Sequence, residues 1–225
     1  MRSSESEETV AQAWTVSLCG ELRLEIRGQR RESILRGRHG RMVLGYLVLN
    51  RSRAVPRHEL EHALWGTAPP ADPGSSLRAH LSRLRTALGE GVLCGSGELR
   101  LLLPDHAAID VEQASASLGL AEAALREGSW KACLEAALGA SMVLERPLLP
   151  GLDAEWIDAE ARRLESGALR ALELTGISAL ELPDGSRAEL VARALVERSP
   201  FREGGHRLLV RSLLEQEEIA EALRA

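Results

Sequence analysis

Residues 75–88 read SSLRAHLSRLRTAL, and the fold turns on how this stretch is read. Leu77, Leu81, Leu84 and Leu88 recur at steps of three and four, the spacing that lines them up on one stripe of an α-helix facing a core. At about 100° per residue, Ser75, Ala79, Ser82 and Thr86 project the other way. Arg78 and Arg85 border that small-residue face on one side and Arg83 on the other. Small residues edged by guanidinium groups suit a helix that lies in a groove. An amphipathic surface helix with solvated arginines carries the same pattern, so the flanking sequence has to decide.

Working outward towards the N-terminus, HELEHALWG predicts a helix with Leu60, Ala63 and Leu64 inward and Gly66 as its stop, entered through Val55-Pro56. Before it, RHGRMVLGYLVLN places Met42, Val43, Tyr46, Leu47 and Leu49 in a helix ending near Asn50. Trp14 to Ile26 alternates apolar and polar residues, which predicts short strands around Cys19-Gly20, and Ser33 to Leu35 reads as a further short strand. The Pro-rich loop TAPPADPG precedes Ser75. Downstream, Gly89 and Gly91 end the helix, and Val92 to Leu103 reads as a hairpin around Gly95-Ser96-Gly97. The order is strands, helix, helix, loop, helix, hairpin.

Beyond Ile109-Asp110 the pattern becomes helix upon helix. Val111–Glu127, Trp130–Glu145, a long stretch Glu155–Leu182 punctuated by Gly167 and Gly176, Arg187–Glu197 and Arg202–Glu215 are the expected helices. PLLPGL is a loop and Pro183-Asp184-Gly185 a turn. Helix pairs at roughly 30–40 residue intervals suggest a tetratricopeptide-like array. The final run, IAEALRA, reads as the start of a partner helix that is cut short, so the array is expected to be truncated at its C-terminal end.

Composition sharpens the division. Of 225 residues only six are Trp, Tyr or Phe, so the core must be Leu, Ala and Val, which favours helices. The net charge of −5 conceals an asymmetry. Residues 14–104 hold 14 arginines against 8 acidic residues, whereas residues 105–225 hold 13 basic residues against 22 acidic. A basic first part attracts a polyanion, and an acidic second part does not. Three cysteines, far apart and without a CxxC pair, give neither a disulfide framework nor a cysteine zinc site, and fit a reducing cytoplasm. The polar start MRSSESEETVAQAW is no signal peptide, and no apolar run reaches the length of a membrane span.

The words LRGRHGRMVLGYLVLN, AVPRHELEHALWG and APPADPGSSLRAHLSRLRTAL together resemble the winged helix-turn-helix of the OmpR/PhoB type. ALREGSWKACLEAALGAS, ERPLLPGL, EARRLESGALRALEL and ERSPFREGGHRLLVRSLLEQEEIAEALRA resemble successive blocks of a bacterial transcriptional activator domain, as in Streptomyces antibiotic regulatory proteins. The resemblance runs from Val16 to Ala225. It implies an α+β winged helix-turn-helix domain over 14–106 and an all-α, tetratricopeptide-like activator domain over 107–225, preceded by a flexible acidic tail over 1–13. It also implies that the third helix docks in a DNA major groove and that the hairpin, the wing, approaches the adjacent minor groove.

Carried over residue by residue, the resemblance assigns Arg78, Ala79 and Arg83 to base edges, where arginine pairs with guanine and the alanine methyl meets a thymine methyl. It assigns Ser76, His80, Ser82 and Arg85, with Arg38 and Arg41 of the first helix, to phosphates, and Gly95, Ser96, Gly97 and Arg100 to the wing. Two positions depart from the family pattern: Glu98 at the wing tip, where many relatives carry a base, and Glu217, where the pattern has a turn glycine. The partners implied are double-stranded DNA at promoter direct repeats, bound in tandem or as a homodimer so that avidity supplies affinity, and RNA polymerase. No cofactor, metal or membrane is implied.

A rival reading lies in the same residues. His58-Glu59-Leu60-Glu61-His62 matches the H-E-x-x-H helix of zinc metallopeptidases, with two imidazoles on one face and a glutamate base. Trp65 stands where a metzincin has glycine, and no third ligand follows at the right spacing. Gly95-x-Gly97 lacks the third glycine and the helix of a dinucleotide loop, and no P-loop is present. Trp130 and Trp156 read as core of the helical half, Gly204-Gly205-His206 as a helix start, and Arg162-Arg163 as a solvated face. The alternative from another class is a helical scaffold whose winged-helix half binds protein.

Overall fold

Alternation at the start of the chain becomes strand pairing in the computed structural model, which describes residues 14–216 and 224. The acidic tail 1–13, Glu217 and nearly all of the IAEALRA run lie outside those residues. Strand β1 (Trp14–Ser17) pairs antiparallel with β2 (Arg23–Ile26), Trp14 opposite Ile26 and Val16 opposite Leu24, and β2 continues into β3 (Gln29–Arg30). The period-2 pattern puts Val16, Leu24 and Ile26 on the buried face. Ser33 to Leu35 forms no strand. Glu32–Ile34 is one turn of 3₁₀-helix, because the Glu32 carboxylate folds back to accept from the Leu24 amide at 3.3 Å.

Three helices follow: α1 (Gly37–Leu49), α2 (Arg57–Trp65) and α3 (Pro73–Leu88). They bury Met42, Val43, Leu44, Leu47, Leu60 and Leu64 with the Leu77, Leu81, Leu84 stripe of α3. Ahead of α2, Val55–Pro56 is itself a strand, β4, and it pairs with β6 (Glu98–Leu101), which in turn pairs with β5 (Leu93–Cys94). A second strand without a sequence signal, β7 (Ala108–Ile109), runs parallel to β1 and completes a four-stranded sheet ordered β3-β2-β1-β7. Two-residue strands carry no periodicity, so pairing alone reveals them.

Helices α4 (Asp110–Arg126), α5 (Trp130–Leu144), α6 (Glu155–Glu181), α7 (Gly185–Arg198) and α8 (Glu203–Glu215) form the rest. The chain divides into two compact units, and the cut is not the one predicted at residue 106. The first unit takes 14–110 together with 147–161, and the second takes 111–146 and the described residues from 162 onward. Residues 147–161 join the first unit by backbone bonds: the amides of Gly20 and Leu149 donate to the carbonyls of Pro147 and Leu18, each at 2.8 Å. Leu149, 1% exposed, packs its methyls onto Gly45 of α1. Asp110 clamps the same corner, its Oδ2 accepting from the amides of Leu18 and Cys19 at 2.9 Å each.

The second unit has an alanine-rich core, with Ala121, Ala137, Ala179, Ala188 and Ala192 beside Leu174, Leu180, Leu208 and Leu213. Small residues let its helices approach closely. Helix α6 runs unbroken through Gly167 and Gly176. These glycines do not interrupt it; a Cβ at Gly176 would collide with the Leu208 side chain, so that position is kept bare for a neighbour. Among the described residues, no helix is long and apolar enough to cross a membrane.

Candidate nucleic-acid interface

Helix α3 starts one turn earlier than its apolar stripe implies, because Asp72 caps it: Oδ1 accepts from the Ser75 amide at 2.9 Å and Pro73 occupies the first turn. Leu77, Leu81, Leu84, Ala87 and Leu88 are buried. Ser75, Arg78, Ala79, Ser82, Arg83, Arg85 and Thr86 are exposed, and Ser76 is half-buried. The small-residue face edged by arginines therefore exists as a surface. Among the described residues, Arg78 and Arg83 meet no carboxylate.

The wing is built against the C-terminal half of α3. Arg85 donates from Nη2 to the Gly95 carbonyl at 2.9 Å and from Nε towards the Leu93 carbonyl at 3.4 Å. Its guanidinium holds the wing rather than standing free for a phosphate. Gly95 has φ +88°, and a Cβ there would run into the Glu98 carbonyl, so only glycine fits the tip. Arg57, at the start of α2, ties the other side: its amide donates to the Gly97 carbonyl at 2.9 Å and its Nη2 to the Gly74 carbonyl at 3.2 Å. Ser96, Glu98 and Arg100 are exposed on the hairpin. Arg57 is a positioning residue that the pattern of side chains alone did not single out; its signal was its place between the Val55-Pro56 turn and α2.

His80 departs from its expected place. It is half-buried and turned to α1, its ring 5.9 Å from that of His39, whose other neighbour is Trp65 at 5.8 Å. Burial, then the charges of His39 and Arg83, hold His80 below the ordinary imidazole value. Burial and the neighbouring Arg38 do the same to His39. Both rings are thus neutral near pH 7, a poor state for phosphate binding. Arg41 is exposed on α1, while Arg38 donates from Nη2 to the Asp153 carbonyl at 2.7 Å.

The H-E-x-x-H match dissolves at Glu59. Its carboxylate accepts from the Tyr46 hydroxyl at 2.6 Å and from the Arg53 guanidinium. Arg53 holds Glu59 below the usual carboxylate range, and burial with the Glu59 bond pushes the Tyr46 hydroxyl up to about 12. A carboxylate so occupied is no free base. His58 and His62 are exposed, and among the described residues no cluster of three His, Cys, Asp or Glu is placed to hold a metal. Trp156, expected in the helical core, belongs to the first unit: its Nε1 donates to the Ala63 carbonyl at 3.0 Å and its ring meets Tyr46 edge-on at 5.1 Å.

Residues 109–225 match the family model of the bacterial transcriptional activator domain. The chain belongs to that family. With a winged helix ahead of that domain, it has the layout of the Streptomyces antibiotic regulatory proteins. It is 31% identical over 186 residues to the regulatory protein AfsR of Streptomyces coelicolor and 29% identical over 188 residues to AfsR of Streptomyces griseus. Each match covers 81% of this chain and less than a fifth of the relative, 18% and 19%. Among solved structures, Mycobacterium tuberculosis EmbR, determined with a low-affinity phosphopeptide, is similar over 93% of this chain and 57% of its own, with a TM-score of 0.85 and 25% identity. The family is one of transcriptional regulators and not of enzymes, which removes the peptidase reading.

Proposed function

We propose that the chain is a sequence-specific DNA-binding transcriptional activator acting in the cytoplasm. The observation that carries this reading is the exposed face of α3, where Ala79 and Ser82 lie between Arg78 and Arg83 and no carboxylate of the described residues neutralises either guanidinium. A helix of this shape, held between α2 and the wing, presents bidentate donors at the depth of base edges. Ser76, Ser82 and Arg41 contact phosphates and set register. Arg85 acts by fixing the wing, and Arg100 is the wing's own cation. Two copies bind direct repeats in tandem, and the second unit mediates self-association or contact with RNA polymerase.

A mobility-shift assay on promoter fragments across a salt series tests this. Log affinity falls linearly against log salt with a slope of roughly −0.9 per phosphate neutralised, and fragments with direct repeats outcompete shuffled ones. Absence of binding to any fragment at low salt overturns the reading in favour of a protein-binding scaffold.

A further inference from the structure

Helices α1 and α2 and residues 153–159 of the first unit enclose an open cavity of about 670 Å³. Its lining is chemically unlike the rest of the chain. Of only six Trp, Tyr and Phe residues in the sequence, three, Tyr46, Trp65 and Trp156, face this one space, with His39 and His62 beside them.

The rings are fixed before anything enters. Tyr46 is tethered through its hydroxyl to Glu59, Trp156 through Nε1 to the Ala63 carbonyl, and Trp65 is backed by His39. Rigid aromatic walls lose little entropy when an aromatic molecule packs against them. A volume of this size is that of a pocket for a small organic ligand rather than for a single ion.

Polarity narrows the class. Glu59 is already neutralised by Arg53, and Asp153 and Glu155 stand exposed at the rim. Arg38 is the permanently charged donor of the lining; one of its N–H groups goes to the Asp153 carbonyl, and among the described residues the others have no partner. From this geometry we infer that the cavity is a binding site for a flat, fused-ring aromatic molecule that presents a carbonyl or carboxylate edge to Arg38.

The test uses the purified full chain without DNA, with naphthalene-2-carboxylate and naphthalene-2-carboxamide as probes, followed by tryptophan fluorescence quenching and calorimetry. Both probes bind saturably, one per chain, below about 1 mM. Arg38→Gln weakens both about tenfold, and Arg83→Ala on α3 leaves binding unchanged. Ala159→Trp and Ala68→Trp, substitutions at exposed positions that fill the cavity from two sides, each abolish binding while the urea unfolding curve stays that of the parent. Failure of both probes to saturate overturns the site. Binding that survives both filled variants also overturns it, by locating the probe elsewhere. Neither result bears on DNA recognition, which the salt series measures separately.

Discussion

Arg78 and Arg83 of α3 and the paired arginines of the second unit are the same residue put to opposite use. In the second unit, Arg170 pairs with Glu122 and Glu173, Arg198 with Glu145 and Glu165, Arg202 with Glu173, Arg207 with Glu203 and Arg211 with Glu181. Their charge is consumed inside the chain. On α3, Arg78 and Arg83 have no such partner among the described residues. Net charge per segment, which separated the two parts in the sequence, is therefore only half the lesson: a cation is available to a polyanion when its neighbours leave it uncompensated.

The strongest way to break this comparison is to remove the free cations. Arg78→Ala and Arg83→Ala each cost about 1–3 kcal/mol of specific binding, and together they reduce a promoter complex to the level of random DNA in a gel-shift titration. Arg207→Ala, which removes an exposed and already paired cation, changes affinity less than about twofold. Equal losses from both would erase the distinction.

Next in size is the wing. Gly95→Ala forces a Cβ into the Glu98 carbonyl at a positive φ and lowers stability by about 1–3 kcal/mol in urea unfolding. Gly97→Ala, with open space around it, stays within about 0.5 kcal/mol.

On the compensated side, Glu173→Gln leaves Arg170 and Arg202 short of an anion and costs about 1–3 kcal/mol. Burial raises the Glu173 carboxyl, but Arg202 and then Arg170 more than offset this and hold it below 4.5. Its stabilisation is accordingly complete above that value and is lost as pH falls through the folded value. The variant's stability declines less on acidification than the parent's.

The smallest effect concerns His80. Burial lowers His39 and His80 below 6.5, so the unfolded chain binds more protons as pH drops. Stability is full above 6.5 and falls below it. His80→Gln reduces the difference between urea midpoints measured at about pH 8 and about pH 5.5.

Much of the fold was legible in the sequence where a period extends over several turns. The Leu77–Leu88 stripe, the helices over 37–65 and the glycine-tipped hairpin stand where the residues predict them. What escaped is short or distant. Val55–Pro56 and Ala108–Ile109 are strands only because β6 and β1 lie beside them. Residues 147–161 read as a loop and helix start of the activator half, yet Leu149 and Trp156 pack into the first unit through contacts about a hundred residues away in sequence. Exposure of Arg78, Ala79 and Arg83 followed from helical geometry. The inward turn of His80 did not, since a half-buried flank is set by His39 on another helix.

The docking of residues 147–161 has a consequence for how the molecule is made. The N-terminal unit is not finished when its own helix-turn-helix and wing have been synthesised, because Leu149 and Trp156 have yet to be added. A nascent chain must hold that unit partly open, with the Gly45 seat unfilled, while two helices of the other unit emerge. A fragment ending at residue 106 freezes that stage: it keeps every residue assigned to DNA and lacks the segment that closes over α1 and α2. Gene designs that isolate the DNA-reading part therefore do better to carry residues 147–161 along, at the price of the intervening helices.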